Sequence, residues 1–202
     1  MNSSDSKTPT RCAWATNKPD YYVDYHDNEW GRAITDDQAH FELICLEGAQ
    51  AGLSWDTVLQ KRERYRKVFK GFEPKRCAKL SDTYLEKLLE DKGIIRNRLK
   101  VYSVRTNAQV FLKVQTEFGS FNDYIWSYVD HEAIINRWKT MKQVPAKTEL
   151  SDAISKDLKK RGFKFVGSTI VYAYLQSAGL VVDHTIDCAW HPDNIKKRKC
   201  KR

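Results

Sequence analysis

Fifteen residues constrain the fold of this chain more than any others: Phe41-Glu42-Leu43-Ile44-Cys45-Leu46-Glu47-Gly48-Ala49-Gln50-Ala51-Gly52-Leu53-Ser54-Trp55. At about 100° per residue, the apolar positions cover nearly the whole circumference of a helix rather than one stripe. Glu47 falls on it between Leu43 and Ile44 on one side and Ala51 on the other, with no cation three or four residues away. Burying a carboxylate without a partner is costly, so Glu47 is a candidate for a function. The glycine turn and Trp55 follow at once. Together they suggest a pocket for a planar, cationic ligand.

The rest of the chain reads as helical. Thr35 and Gln38 have the form of a capping box opening the first long helix, which runs to about Gly52. A second helix is expected from Ser54 through Phe69, a short piece at Pro74, and a further helix over 81–92 stopped by Gly93. The longest periodic stretch runs over 96–117. Helices follow over 121–129, 149–161 and 166–178, with Gly162 past the basic end of the second of these. Residues 134–147 are undecided. No convincing alternating strand, repeat or linker stands out. The expectation is an all-α domain over 11–192, with a flexible extension at 1–10 and a basic tail at 193–202.

Charge points only weakly to a partner. The formal net charge is +9, but 196–202 hold six of the cations, which leaves +3 for the body. That tail reads either as a solvated end or as an electrostatic tether or localisation signal. Five cysteines without compact spacing argue against a disulfide framework. With no leader-like apolar segment and no run of the roughly 18 apolar residues a span needs, a soluble, cytoplasmic protein is expected.

Three constellations carry chemistry. In the first, 88–98, a helix stops at Gly93, Ile94 and Ile95 follow, and a basic helix begins at once, with Arg96, Arg98 and Lys100 placed to flank a phosphate backbone. This suits a helix-hairpin-helix whose backbone N–H groups hold a DNA phosphate, and equally an ordinary tight corner. In the second, His184 and Cys188 are four apart, with Cys12 and His26 near the other end. Two Cys and two His make a closed tetrahedral zinc set with no place for a catalytic water, or else are buried thiols and surface imidazoles. In the third, Trp14, Tyr21, Tyr22, Tyr25 and Trp30 form an aromatic group that suits either a core or a base-stacking platform. Leu53, at the turn, reads as a wedge or as a core leucine.

Three strings then resemble one family: Tyr25-His26-Asp27-Asn28-Glu29-Trp30-Gly31, Cys45 through Trp55, and Gly162-Phe163-Lys164-Phe165-Val166-Gly167. All are similar to the bacterial 3-methyladenine DNA glycosylase I family, over about 11–192. The resemblance implies the all-helical helix-hairpin-helix glycosylase fold, with the termini joined by one structural zinc ion on Cys12, His26, His184 and Cys188. It implies that Glu47 contacts the excised base, that Trp55 stacks on it, and that Trp14, Tyr22 and Tyr25 complete the pocket. The Gly93 corner falls on the family's DNA-binding hairpin.

The implied activity is removal of 3-methyladenine from alkylated double-stranded DNA by a monomeric enzyme. Many superfamily members place an aspartate near the hairpin; the resemblance implies that this family lacks it. Glu47 is therefore assigned to recognition with electrostatic help, and the group directing water is left open. A non-catalytic DNA-binding module of the same fold and a zinc hydrolase are the alternatives.

Overall fold

The structure is a computed structural model and describes residues 9–199. After a helical turn at Ala13–Ala15 come α1 (Asp20–Asn28), α2 (Asp37–Gln50), α3 (Trp55–Leu59) and α4 (Arg62–Val68). Then follow α5 (Pro74–Cys77), α6 (Asp82–Leu88), the long α7 (Arg98–Phe118) and α8 (Phe121–Trp126). β1 (Ile134–Ile135), α9 (Glu149–Arg161), α10 (Ser168–Ser177), β2 (Val181–Val182) and α11 (Pro192–Lys199) complete the order. The fold is mostly helical, as expected. Two departures stand out. Ile134 and Ile135 pair in parallel with Val181 and Val182, a two-residue contact too short to leave an alternating pattern. Helix α11 covers part of the expected tail; 1–8 and 200–202 lie outside the described residues.

Helix α2 is central. It packs against α3, α7, α8 and α10, and buries residues all round: Phe41, Leu43, Ile44, Cys45, Leu46, Glu47 and Ala49. Its cap is Asp36, whose carboxylate accepts the Ala39 N–H at 2.8 Å, one residue beyond the expected Thr35. A carboxylate there also favours the positive end of the helix dipole. The helix expected over 54–69 breaks into α3 and α4 at Gln60–Lys61, where the sequence has neither Gly nor Pro. The break lets α3 carry Trp55 while α4 turns Tyr65 and Val68 into the core.

The large core spans α2, α7, α8, α9 and α10. A second, smaller one joins the ends of the chain: Cys12, Tyr25, Trp30, Leu59 and Cys188, with Trp14, Tyr22, Trp55 and Trp190 packed on it. Apart from Tyr21, which is exposed and donates its hydroxyl to Asp56, the aromatic group is thus core and cavity wall at once.

Candidate functional site

Glu47 is 2% exposed. Its Oε1 accepts a 3.0 Å hydrogen bond from Ser177 Oγ on α10, and Ser177 Oγ in turn accepts one from Tyr25 O–H at 2.9 Å. The other oxygen, Oε2, is sealed from solvent without a hydrogen-bond partner, as is Trp55 Nε1. Native proteins rarely leave such groups unsatisfied, and a functional site is one place where they do. Burial pushes the Glu47 carboxyl up to about 8, against the smaller lowering by the Ser177 hydrogen bond.

Beside Glu47 lies a cavity of about 180 Å³, walled by Trp14, Tyr22, Tyr25, Trp30 and Trp55 and by Gln50, Met141 and Ser177. Helix α1 brings in Tyr22 and Tyr25, α2 Glu47 and Gln50, α3 Trp55, and α10 Ser177. Trp55 and Tyr25 lie 5.3 Å apart between ring centres, tilted by 44°. The cavity offers flat π faces around one carboxyl group, which suits a planar ring carrying N–H donors and positive charge. Several of its contributors escape sequence reading, helix α1 and Ser177 among them. Helix α1 shows itself only through Pro19 and Asp20 at its start. Ser177 has no local signal at all, because it reaches Glu47 from 130 residues away.

Leu53 is 43% exposed in the turn that follows α2, where Gly52 has φ +75°. The core reading is excluded. A cleft of about 200 Å³ beside it shares Glu47, Gln50 and Ala173 with the aromatic cavity.

At the 88–98 corner, α6 ends at Leu88 and α7 begins at Arg98. The amides are engaged inside the protein: Gly93 N–H on Asp91 Oδ1 at 2.8 Å, Ile94 N–H on the Asp91 carbonyl at 3.3 Å, and Ile95 N–H on Tyr65 Oη at 3.1 Å. Ile94 is buried while Arg96 and Arg98 are exposed, and Arg98 pairs with Glu86. Asn97 caps α7 through Lys100 N–H. Lys100, expected beside the phosphate backbone, instead turns its ammonium to the carbonyls of Ala49 and Ala51.

Cys12, His26, His184 and Cys188 are buried, with their ligand atoms within 4.8 Å of one another. Sγ of Cys188 is 3.6 Å from His26 Nε2 and 3.4 Å from His184 Nδ1; Sγ of Cys12 is 3.5 Å from His184 Nδ1. Metal bonds of about 2.3 Å to sulfur and 2.0–2.1 Å to nitrogen in a tetrahedron require S···N separations of about 3.5 Å. The remaining ring nitrogens are held too: His26 Nδ1 lies 2.8 Å from Asp27 Oδ1, and His184 Nε2 lies 3.3 Å from the Trp30 carbonyl. That is the outer shell a metal-binding imidazole needs. The cluster could hold a metal ion.

Comparison with known proteins agrees with this geometry. The family model described as methyladenine glycosylase matches residues 14–191. DNA-3-methyladenine glycosylase 1 of Escherichia coli is 47% identical over 184 residues, 91% of this chain and 98% of that protein. DNA-3-methyladenine glycosylase of Haemophilus influenzae is 49% identical over 179 residues, 89% of this chain and 96% of that one. A variant of 3-methyladenine DNA glycosylase I, solved in complex with 3-methyladenine, superimposes with a TM-score of 0.87 at 35% identity, covering 90% of this chain and 97% of that chain.

Proposed function

The chain belongs to the methyladenine glycosylase family, and on that premise we propose that it excises 3-methyladenine from alkylated DNA, leaving an abasic site. The observation that carries this reading is the sealed, unpartnered Glu47 Oε2 beside an aromatic cavity.

Methylation at N3 makes the base cationic, so breaking the C1′–N9 bond releases a neutral leaving group, and water supplies the hydroxyl to the sugar. The bond is already weak; the harder task is to reject normal adenine. Flipping the nucleotide costs a few kcal/mol, least for a damaged base. Trp55 then stacks on the ring, favouring a cation by roughly 0.5–2 kcal/mol, and Trp14, Tyr22 and Tyr25 close the remaining sides. Glu47 accepts hydrogen bonds from the adenine edge. With its carboxyl near 8, Glu47 holds a proton at neutral pH while the pocket is empty. A positive base favours the carboxylate, so binding expels that proton and couples lesion charge to recognition. Neutral adenine lacks that driving force. Leu53 fills the hole left in the duplex, and Arg96 and Arg98, with the corner at Gly93, Ile94 and Ile95 behind them, hold a phosphate at the start of α7.

Cys12, His26, His184 and Cys188 would hold zinc in this reading. The ion would supply a crosslink between the chain ends rather than a reactive water, because four protein ligands would leave none of its positions to solvent. The enzyme works as a soluble monomer on double-stranded DNA; no helix among the described residues is long and apolar enough to cross a membrane.

The deciding measurement is release of free 3-methyladenine from methylated duplex DNA. The wild type is expected to release it. Glu47→Gln is expected to lose at least about a hundredfold in excision, in the range of removing one transition-state electrostatic partner, while duplex binding changes little. A folded wild type that binds duplex and releases no base would establish the non-catalytic module instead.

A further inference from the structure

Lys100 stands in the first turn of α7, yet its side chain points away from any DNA-docking role. Its Nζ donates to the carbonyl of Ala49 at 2.9 Å and of Ala51 at 2.6 Å. These carbonyls belong to the last turn of α2 and the turn after it, where a helix leaves acceptors without partners. The last turn of α2 has no basic residue of its own, so the cation that balances its negative end comes from another helix. Burial lowers the Lys100 pKa. Water could satisfy carbonyls at a solvated turn without desolvating a lysine.

What this contact joins gives it meaning. At the α7 end, Lys100 N–H donates to Asn97 Oδ1 at 3.1 Å, and Asn97 N–H donates to the Ile95 carbonyl at 2.8 Å. The ammonium is therefore two hydrogen bonds from the hairpin. At the α2 end, Ala51 immediately precedes Gly52 and the exposed Leu53, and Glu47 lies one helical turn back. We infer that Lys100 is a positioning residue that couples docking of the hairpin on duplex DNA to the placement of Leu53 during base extrusion. This rests on the base-excision reading above. As DNA seats on the hairpin, Lys100 holds the Leu53 turn at a fixed height over the duplex while the lesion leaves the stack.

The test is single-turnover release of 3-methyladenine from the same methylated oligonucleotide as duplex and as single strand, together with titration of free 3-methyladenine. Wild-type release from duplex checks the activity reading separately. Lys100→Met is expected to slow duplex excision about tenfold or more, the scale of losing charge-assisted hydrogen bonds. Single-strand excision and free-base affinity should stay within about threefold, because neither needs a duplex hole filled. Lys100→Arg should restore most of the duplex rate.

In a Leu53→Ala background the Lys100→Met penalty should shrink, since partners acting through one another are non-additive. If Lys100→Met does not fold, the cycle is run with Lys100→Gln, which keeps a donor without the charge. Wild-type duplex rates in the variant would overturn the inference. So would parallel losses in duplex excision, single-strand excision and free-base binding, or full additivity with Leu53→Ala; any of these reduces Lys100 to a structural tie.

Discussion

Glu47 shows how one residue can be expensive to the fold and necessary to the site. Its carboxyl sits near 8 where an exposed one sits at 4.5, and each tenfold of that preference for the neutral form is worth about 1.4 kcal/mol. The consequence for stability has a definite sign. Below about pH 4.5 the folded and unfolded chains both hold the proton. Between there and about 8 the unfolded chain ionises while the folded one does not, so rising pH favours unfolding until the folded group titrates as well. Thermal melts from pH 5 to 9 should therefore show the wild type losing several kcal/mol relative to Glu47→Gln, with the loss levelling off above pH 8. Melting curves that run parallel across this range would mean that Glu47 is ionised in the empty pocket. This residue was legible early because no cation lies at helical spacing from it. Its partner Ser177 was not, because no local pattern marks a serine whose target is on another helix.

At the scale of elements, the corner between α6 and α7 is packed more tightly than its sequence suggests. A Cβ at Gly93 would lie 2.6 Å from Arg64 Cγ and 3.0 Å from Asp91 Oδ1. Arg64 and Asp91 are themselves an ion pair at 2.6 Å, and Asp91 holds the Gly93 N–H. Gly93→Ala must therefore displace the Arg64 side chain and disturb its pair with Asp91, which holds the corner. It is expected to weaken duplex binding about tenfold, in the 1–3 kcal/mol range of overpacking, while leaving free 3-methyladenine affinity unchanged. Equal duplex affinities for variant and wild type, measured at one salt concentration, would remove the corner from the DNA-binding surface. The sequence pattern located this corner but assigned its amides to phosphate. Tyr65 and Asp91 take them up instead: the Asp91 contacts are a local turn, while the Tyr65 contact comes from 30 residues away and has no sequence signature. The two helices over 54–69 teach the same lesson, since nothing local marks their break.

For the whole molecule, the second core makes recognition depend on the chain ends. Trp14 packs edge-on against His26 at 5.0 Å, and Trp30 against His184 at 4.7 Å. Two walls of the aromatic cavity thus lean on two members of the Cys/His cluster. With zinc on the cluster as proposed, Cys188→Ala should lose the ion, melt at a lower temperature and bind free 3-methyladenine more weakly. Retention of one zinc per chain by that variant would show the ligand set to be wrong. The sequence alone determined the helical class and the pairing of Glu47 with Trp55, because helical periodicity and the cost of burying charge act over a few residues. Only the tertiary structure decided that Ser177 holds the carboxyl and Tyr25 in turn holds Ser177, that Leu53 is exposed, that Lys100 serves α2 rather than DNA, and that four residues from the two chain ends converge. Those contacts join residues up to 176 positions apart, from Cys12 to Cys188, and depend on the angles at which helices pack rather than on any local preference.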